Sequence, residues 1–268
     1  MKVIAPITAV WFALTVTIVY GSGIEVDGPS IIRNLIPEEP LERQSAAEYA
    51  QLKQEAARKK LLLGDQNPKV QRLRKIAARI IPFTERWNSN SREWQWEINL
   101  LRSPEINAFC MPGGKIAFYT GILNSLRLTD NEAAVIMGHE IAHALREHAR
   151  EHIAKSELTN IGAQLLGAYI GGGKYTGLFS LGGNLLNLKF SRENENEADL
   201  IGLDLAARAG FDPRSGVTLW EKMSAASNGA PPQWLSTHPA NSSRIAEIQK
   251  HLPEVIPLYE EARRLPNR

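Results

Sequence analysis

The segment His139-Glu140-Ile141-Ala142-His143 has the pattern H-E-x-x-H. It lies within a proline-free run of helical composition from Thr129 to Ile153, and Thr129 with Glu132 forms a capping-box pattern at the start of that run. Residues four apart share one face of a helix, so both imidazoles can reach one metal ion. The adjacent carboxylate of Glu140 can then take a proton from water on that metal. The stretch therefore predicts a helix that carries a hydrolytic metal site.

The composition is that of an ordinary globular protein. The 268 residues are 43% hydrophobic and 22% charged, with a formal net charge of +2. This length fits one catalytic domain of about 200 residues with an N-terminal extension. The small net charge gives no sign of a nucleic-acid partner, and none is predicted. Cys110 is the single cysteine, which excludes an internal disulfide and a cysteine-rich zinc finger.

Residues 1–23 are predicted to be a signal peptide or a membrane anchor. Residues 3–20 form an almost unbroken apolar run, and no charge follows Lys2 before Glu25. A buried core helix is a third alternative, but this length lies between a secretory signal and a single membrane span, and both of these stay open. Either would carry the catalytic part of the chain out of the cytoplasm, and the anchor would associate it with a membrane.

Residues 24–66 are predicted to be a linker followed by a helical extension, and residues 67–268 to be the catalytic domain. Three prolines between residues 24 and 40 indicate the linker, and Leu41–Leu63 has helical composition. Asn67 and Pro68 have the pattern of a helix cap and a first helical turn. The apolar stripe of this second helix comprises Val70, Leu73, Ala77 and Ile80.

A change of period predicts a small antiparallel sheet before the helix with the two histidines. Apolar and polar residues alternate from Trp94 to Leu101, which indicates a strand with one buried face. Ile106–Met111 and Lys115–Tyr119 are predicted as two more strands, joined by a turn at Pro112-Gly113-Gly114. The predicted fold class is α+β and mostly helical, with the sheet packed on the helix of the metal site. The sheet edge could hold an extended peptide, or the sheet could serve only as support.

The stretch 161–183 is rich in glycine, with eight of the 20 glycines of the chain. Close helix packing, a mobile lid and a membrane-inserting hairpin are all compatible with this composition. Beyond it, helices are predicted from Ser191 to Gly210, from Asp212 to about Ala226, and over Ser242–His251.

A third metal ligand is predicted in the acidic run of residues 193–199. A catalytic zinc usually takes three protein ligands and keeps one position for water. At about 100° per residue, Glu195 and Asp199 lie on a helix face of small and apolar residues, whereas Glu193 and Glu197 lie on the opposite side. Carboxylates on such a face are costly unless they are paired or bind metal. Glu195 is therefore the predicted ligand, and Asp199 the predicted hydrogen-bond partner of a ligand histidine.

The other histidines are separate from this pair. His148 to His152 spells H-x-x-E-H, the inverted form of a zinc motif. On one continuous helix it lies nine residues beyond the first motif and points about 180° away, so it is predicted not to share that site. His251 is predicted to be exposed near the end of the last helix. His238 lies in a loop before Pro239, where a histidine has few other reasons to occur.

Four ordered motifs resemble those of the M48 family of zinc metallopeptidases. The matching segments are Asn107-Ala108-Phe109 with Pro112-Gly113-Gly114, the H-E-x-x-H stretch, Glu195-x-x-x-Asp199, and Thr237-His238-Pro239 with Arg244-Ile245. They extend over roughly Ile106 to Ile248. The resemblance implies a zincin-like domain over residues 67–268 that binds one zinc ion per chain.

The resemblance also implies a role for each matching residue. His139, His143 and Glu195 would bind zinc, Glu140 would be the general base, and Asp199 would hold a ligand histidine. Residues like His238 and Arg244 lie near the metal in relatives, so both are candidates for stabilising the transition state, and His238 also for self-inhibition. The implied substrates are unfolded or misassembled cell-envelope proteins, bound as extended chains. The implied location is the periplasmic side of the cell envelope, with the mitochondrial inner membrane as the alternative.

A zinc-bearing chaperone or binding protein is the alternative to an endopeptidase. In that case His238 would fill the fourth position at the metal and leave hydrolysis latent, because a site with four protein ligands is structural in character. Membrane association through residues 3–20 is compatible with either function.

Overall fold

The computed structural model describes residues 22–171, 185, 188–226, 232–238 and 242–264, with the backbone alone for residues 160–171 and 242. The apolar run of residues 3–20 and residues 172–183 of the glycine-rich stretch lie outside these ranges. What was predicted for them, and the division of the chain at residue 66, stay predictions. Within the described ranges, no helix has both the length and the apolar character that crossing a membrane requires.

The described residues form a mostly helical α+β architecture, which confirms the predicted fold class. The helices are α1 Glu38–Arg58, α2 Pro68–Ile80, α3 Thr120–Ser125, α4 Asp130–Leu145, α5 His148–Gly171, α6 Arg192–Arg208, α7 Ser215–Ala226, α8 Gln233–Thr237 and α9 Ser242–Arg264. The strands are β1 Glu97–Leu101, β2 Ala108–Met111 and β3 Lys115–Tyr119. Short 3-10 turns precede α1 and connect α2 to β1.

Capping residues determine where the two helices of the site begin. Thr129 and Glu132 form the predicted capping box at the start of α4. Ser191 and Asn194 form an equivalent box at the start of α6. The Asn67 side chain likewise accepts a hydrogen bond from a backbone N–H at the start of α2, as predicted. Because the capping boxes fix where α4 and α6 begin, they also fix which residues of each helix share its buried face.

The sheet is mixed, so the prediction of an antiparallel sheet was wrong in this respect. The strand order is β1-β3-β2, with β2 antiparallel to β3 and β1 parallel to β3. The hairpin between β2 and β3 forms as predicted, but it places β3 in the centre. Residues 102–107 therefore cross to the far side, and β2 becomes an edge strand. Alternating apolar residues predict the existence of strands and not their order.

Both faces of β1 are buried, and the strand begins at Glu97 instead of Trp94. Helix α1 covers the face that the alternation had assigned to solvent. The amide of Asn99 donates to the hydroxyl of Tyr49 at 3.1 Å, and that hydroxyl donates to the carbonyl of Ile116 at 2.5 Å. The helical extension thus packs on the back of the sheet, while α4 packs against β2 on the other face.

The helix predicted from Thr129 to Ile153 is interrupted, which is a second correction. Helix α4 ends and α5 begins around Glu147, whose backbone is left-handed with φ of 56°. A left-handed residue other than glycine costs about 1–2 kcal/mol. Ion pairs with Arg33 at 2.5 Å and Arg150 at 2.7 Å hold the Glu147 carboxylate in this position. Since neither glycine nor proline marks the break, local sequence does not reveal it.

The last helix is longer than predicted, because α9 continues past His251 to Arg264 and contains two prolines. Its second half is held by tertiary packing. Val255 and Leu258 are buried together with Ile24 near the N-terminal end of the described chain. Burial of this apolar side outweighs the local cost of proline in a helix.

Helices α4 and α6 approach until backbone touches backbone, and this contact positions the site. A Cβ on Gly138 would lie 2.6 Å from the carbonyl oxygen of Gly202, and a Cβ on Gly202 would lie 2.6 Å from the backbone nitrogen of His139. Only glycine fits at either place. His139 follows Gly138 directly, and Asp199 lies one turn before Gly202. The glycine contact therefore sets the distance between the histidines of α4 and the carboxylates of α6.

Candidate metal centre and active site

Helix α4 presents both histidines of the H-E-x-x-H stretch on one buried face. The Nε2 atoms of His139 and His143 lie 3.1 Å apart, and both side chains are buried. Two ring nitrogens at this distance cannot both carry a proton toward each other. With a lone pair on each nitrogen, the two rings can bind one shared cation.

Helix α6 brings Glu195 and Asp199 to the same point. Glu195 Oε2 lies 3.6 Å from His139 Nε2, and Glu195 Oε1 lies 3.5 Å from His143 Nε2. Asp199 Oδ1 lies 3.0 Å from His139 Nδ1, on the other side of that ring. A carboxylate in this position accepts the Nδ1–H of the ring, and the tautomer with its proton on Nδ1 has its lone pair on Nε2, which faces the cluster.

His238, which follows α8, completes the cluster. Its Nδ1 lies 3.3 Å from His139 Nε2 and 2.9 Å from Glu195 Oε1. Its ring stacks on the indole of Trp234 with centroids 4.9 Å apart. Burial would lower the pKa of His238, but the negative charges of Glu140 and Glu195 outweigh burial and raise it. Three imidazoles and one carboxylate thus converge from three helical segments.

The converging groups fit a zinc ion. One donor atom each from His139, His143, Glu195 and His238 lies within 4.8 Å of all the others. A tetrahedral zinc with bonds of about 2.0–2.1 Å separates its ligand atoms by about 3.3 Å. With both oxygens of Glu195 considered, five of the donor pairs are 2.9, 3.1, 3.3, 3.5 and 3.6 Å apart. Imidazole nitrogen and carboxylate oxygen are also ligand types that zinc accepts.

Arg244 joins the two carboxylates from behind the cluster. Its Nε and one terminal nitrogen donate to Asp199 at 2.6 and 2.7 Å, and its other terminal nitrogen donates to Glu195 at 2.8 Å. The guanidinium lies 3.8 Å from the centroid of the Trp220 ring. Since the side chain is almost fully buried, it supplies the positive charge that two buried carboxylates require.

The pKa values follow from this distribution of charge. Burial alone would raise the pKa of Asp199, but Arg244 and His139 outweigh it and lower the value to about 2. The pKa of Glu195 is also lowered, because the surrounding histidines and the arginine outweigh its burial. Burial, reinforced by the neighbouring histidines, holds the pKa of His143 well below its usual range. Charged carboxylates and a neutral imidazole are the forms that bind metal.

Glu140 lies beside these groups and is held by a tryptophan that sequence reasoning missed. Trp234 Nε1 donates to Glu140 Oε1 at 2.6 Å, and Glu140 is only 2% exposed. His238 Nε2 lies 3.7 Å from the same oxygen. Trp234 precedes His238 by four residues, a spacing on one helical face that is the only sequence signal for its position.

His148 lies at the site, although its motif was predicted to point away. The break at Glu147 turns the ring so that its Nδ1 lies 2.9 Å from His143 Nδ1. Its Nε2 lies 2.7 Å from Glu197 Oε2, on the side of α6 that was predicted to lie opposite Glu195 and Asp199. The candidate metal cluster within the described residues contains neither His148 nor His152, so the inverted motif supplies none of its donor atoms.

A cleft lies between edge strand β2 and α4. Its lining includes Ala108 and Cys110 of β2, Glu140 and His143 of α4, and Phe190 before α6. The Phe190 ring stacks on the His143 ring with centroids 4.2 Å apart. A chain lying along β2 in this cleft would pass directly beside the converging histidines.

An H-E-x-x-H helix that meets a third ligand from a later helix is the site of a metallopeptidase. The chain belongs to peptidase family M48, whose family model matches residues 67–252.

Several curated proteins are similar to this chain. The mitochondrial metalloendopeptidase OMA1 of Schizosaccharomyces pombe is 40% identical over 168 residues, which cover 62% of this chain and 49% of that protein. The human mitochondrial metalloendopeptidase OMA1 is 35% identical over 179 residues, or 62% of this chain and 34% of that protein. The beta-barrel assembly-enhancing protease of Escherichia coli is 33% identical over 186 residues, or 64% of this chain and 37% of that protein. The matches thus span between about a third and about half of these relatives.

Proposed function

We propose that this chain is a zinc-dependent endopeptidase. The observation that carries the proposal is the convergence of His139, His143 and Glu195 beside the carboxylate of Glu140, with donor atoms 3.1–3.6 Å apart. Membership in a peptidase family supports hydrolysis of peptide bonds. The names of the similar proteins, which describe metalloendopeptidases, support cleavage within a chain.

One zinc ion per chain is assigned to His139, His143 and Glu195. When bound, zinc lowers the pKa of a water molecule to about 7 and polarises the scissile carbonyl. Asp199 keeps the lone pair of His139 on Nε2 by accepting the proton on Nδ1. Arg244 orients Asp199 and Glu195 through its hydrogen bonds. Because it is buried behind them, we assign it a positioning role and not a contact with substrate.

Glu140 is assigned as the group that moves the proton. The indole of Trp234 fixes its Oε1 at 2.6 Å and so orients the carboxylate toward the cleft. As a base, Glu140 takes a proton from the attacking water, and as an acid it returns this proton to the amine that leaves. Acid–base catalysis of this kind contributes about 10²–10⁴-fold to a rate.

The substrate is proposed to be an extended polypeptide that adds to edge strand β2. The backbone N–H of Tyr119 donates to the carbonyl of Asn107 at 3.0 Å, so these two residues form a hydrogen-bonded pair of the antiparallel ladder. Along β2, residues that bond to β3 alternate with residues that do not. The backbone groups of Ala108 and Cys110 therefore point to the outer edge of the sheet. Groups in this position can form main-chain hydrogen bonds with a bound peptide.

A contact at the end of the same edge supports this mode of binding. The backbone N–H of Trp234 donates to the carbonyl of Ile106 at 3.1 Å, so a segment of the chain itself already bonds to the edge beyond β2. Main-chain pairing requires an extended backbone with unpaired N–H and C=O groups. Folded proteins expose such backbone only at sheet edges and in loops, whereas unfolded or misassembled proteins expose much more of it. We therefore propose unfolded or misassembled cell-envelope proteins as the substrates.

The location is proposed to be the periplasmic side of the cell envelope, reached through the apolar run of residues 3–20. The name of the Escherichia coli relative, which refers to β-barrel assembly, agrees with an envelope role. The mitochondrial names of other relatives favour the mitochondrial inner membrane as the alternative.

A latent zinc-bearing chaperone or binding protein is the second candidate function. The observation that favours it is His238 Nδ1, which lies 2.9 Å from Glu195 Oε1 and 3.3 Å from His139 Nε2, as a fourth ligand would. For turnover His238 must leave this position to water. If His238 is the plug of a latent site, His238→Ala raises the rate of proteolysis. An unchanged or lower rate of proteolysis would contradict a latent site that is blocked by His238.

Cleavage of casein by the purified full-length chain tests the proposed endopeptidase, with bound zinc counted in the same samples. Glu140→Gln is expected to retain zinc and to lose activity by about 10²–10⁴-fold. Glu93→Gln, at an exposed glutamate, is the matched control and is expected to cleave like the wild type. A Glu140→Gln protein that cleaves at the wild-type rate would overturn the mechanism, and a wild type without zinc would overturn the function.

A further inference from the structure

We propose that His148 and Glu197 are positioning residues of the metal centre, which fix the tautomer of His143 so that its Nε2 is free to bind metal. The proposal rests on the zinc site of the proposed function and adds to it two residues that the H-E-x-x-H pattern does not contain. Asp199 holds His139, but no carboxylate of the described residues contacts His143 Nδ1. Its partner is instead the ring of His148 at 2.9 Å.

The direction of these hydrogen bonds follows from the geometry of His143. Its Nε2 faces His139 Nε2 at 3.1 Å and Glu195 Oε1 at 3.5 Å, so this nitrogen must carry the lone pair if it is to be a ligand. The proton of a neutral ring then lies on Nδ1 and is donated to His148. Of its two nitrogens, His148 must therefore use Nδ1 as the acceptor.

Glu197 determines the state of His148 in turn. A neutral ring that accepts at Nδ1 carries its proton on Nε2, and Glu197 Oε2 accepts that proton at 2.7 Å. The carboxylate has two oxygens to accept with and no proton to donate, so it permits only this orientation. His143 thus donates to His148, and His148 donates to Glu197. With its proton on Nδ1, His143 keeps a free lone pair on Nε2.

Arg146 anchors the far end of the series. One of its terminal nitrogens lies 2.6 Å from Glu197 Oε1 and also donates to the carbonyl of Asp27. Glu197 is therefore oriented with Oε1 toward Arg146 and Oε2 toward His148. The left-handed Glu147 is what makes this possible, because it turns the start of α5 so that His148 reaches back to α4.

From this geometry we expect the isosteric variant Glu197→Gln to change the tautomer of His143. Arg146 only donates, so it selects the amide oxygen of the new side chain and leaves the NH₂ group opposite His148 Nε2. His148 must then accept at Nε2 and donate from Nδ1. His143 can accept this proton only by moving its own proton to Nε2, which removes it as a ligand.

The experiment measures the zinc dissociation constant of the full-length chain by competition with a chelator. His148→Leu and Glu197→Gln are expected to bind zinc about 10–100-fold more weakly than the wild type. His148→Asn is expected to recover much of the loss, because its amide oxygen can accept from His143 near the position of Nδ1. His251→Leu and Glu247→Gln break a similar His–Glu pair on α9, with Nε2 2.9 Å from the carboxylate, and are expected to bind like the wild type.

A second readout separates positioning from folding. Long-range ¹H–¹⁵N NMR of the metal-free wild type reports which nitrogen of His143 carries the proton, and Nδ1 is expected. Circular dichroism checks the fold of each variant. Wild-type affinity in Glu197→Gln, no recovery in His148→Asn relative to His148→Leu, or a proton on Nε2 of His143 would each overturn the proposal. A wild type that binds no zinc would instead overturn the proposed function, and if variants fail to fold, the wild-type spectrum decides.

Discussion

The chain contains two histidine pairs with the same spacing but different surroundings. His139 and His143 of α4 meet at 3.1 Å beside a carboxylate of α6. Of the second pair, in α5, His148 turns back toward the first pair, while His152 has a buried Nδ1 without a hydrogen-bond partner in the described part of the chain. Spacing therefore determines which residues share a helix face. The helix or strand that packs against that face determines whether the histidines can bind metal.

The largest effect is expected where α6 is packed against the first pair. Gly202→Ala places a Cβ 2.6 Å from the backbone nitrogen of His139, and backbone cannot move aside as a side chain can. The helices must separate, so we expect a loss of about 3 kcal/mol in unfolding free energy, at the upper end for overpacking. Chemical denaturation measures this loss, and chelator competition is expected to show weaker zinc binding.

Gly64→Ala is the matched control, because nothing lies within 4 Å of its added Cβ. It is expected to leave both stability and zinc affinity near the wild-type values. A Gly202→Ala protein that is as stable as Gly64→Ala would show that the α4–α6 contact does not set the site.

A smaller effect, on zinc affinity, is expected for Asp199→Asn, which alters the hydrogen bond that holds His139. Arg244 donates to both carboxylate oxygens of Asp199, so an NH₂ group in place of either oxygen faces a donor. We expect zinc affinity to fall by about 10–100-fold, as for other partners of ligand histidines. Asp212→Asn, on a less buried carboxylate before α7, is the control in the same titration. Equal affinity in the two variants would contradict the role of Asp199.

Because the helix is broken at position 147, we expect glycine to be more stable than alanine there, which is the reverse of the usual order in a helix. In an ordinary helix interior, alanine is more stable than glycine by about 1 kcal/mol. At the left-handed Glu147, with φ of 56°, glycine should be more stable than alanine by about 1 kcal/mol. Glu147→Gly and Glu147→Ala lose the same ion pairs, so their difference in unfolding free energy isolates the backbone. A more stable alanine variant would indicate a continuous helix.

The smallest effect is expected for His152→Leu. His152 supplies no donor atom to the metal cluster, and its buried Nδ1 has no partner among the described residues. Stability should change by about 0.5 kcal/mol or less, with unchanged zinc affinity. Its neighbour His148→Leu provides the contrast, since it is expected to weaken zinc binding. Weaker binding in His152→Leu would mean that the second pair also holds metal.

Much of the site could be predicted because its parts are local patterns on two helices. The i and i+4 spacing of His139 and His143 specifies a shared face, and so does that of Glu195 and Asp199. The Thr129–Glu132 capping box specifies where α4 begins. These predictions need no knowledge of how the helices pack, and the structure brings the residues together accordingly.

The remaining features depend on tertiary contacts that leave no local pattern. Glu147 adopts its left-handed conformation in a sequence without glycine, where Arg33 and Arg150 hold its side chain. The position of His148 follows from that break, which is why its predicted direction was wrong. The central place of β3 depends on a crossing loop, and alternation in the strands is the same for either order. Trp234 reaches Glu140 across 94 residues, with no local signal beyond its distance from His238.

X-ray absorption at the zinc edge of the purified full-length chain tests most directly whether His139, His143 and Glu195 bind zinc. We expect one zinc per chain with only nitrogen and oxygen neighbours at about 2.0–2.1 Å and the outer-shell scattering of imidazoles. His143→Leu should reduce the imidazole contribution. Absence of zinc, a sulfur neighbour, or a histidine signal that His143→Leu leaves unchanged would contradict the proposed zinc site.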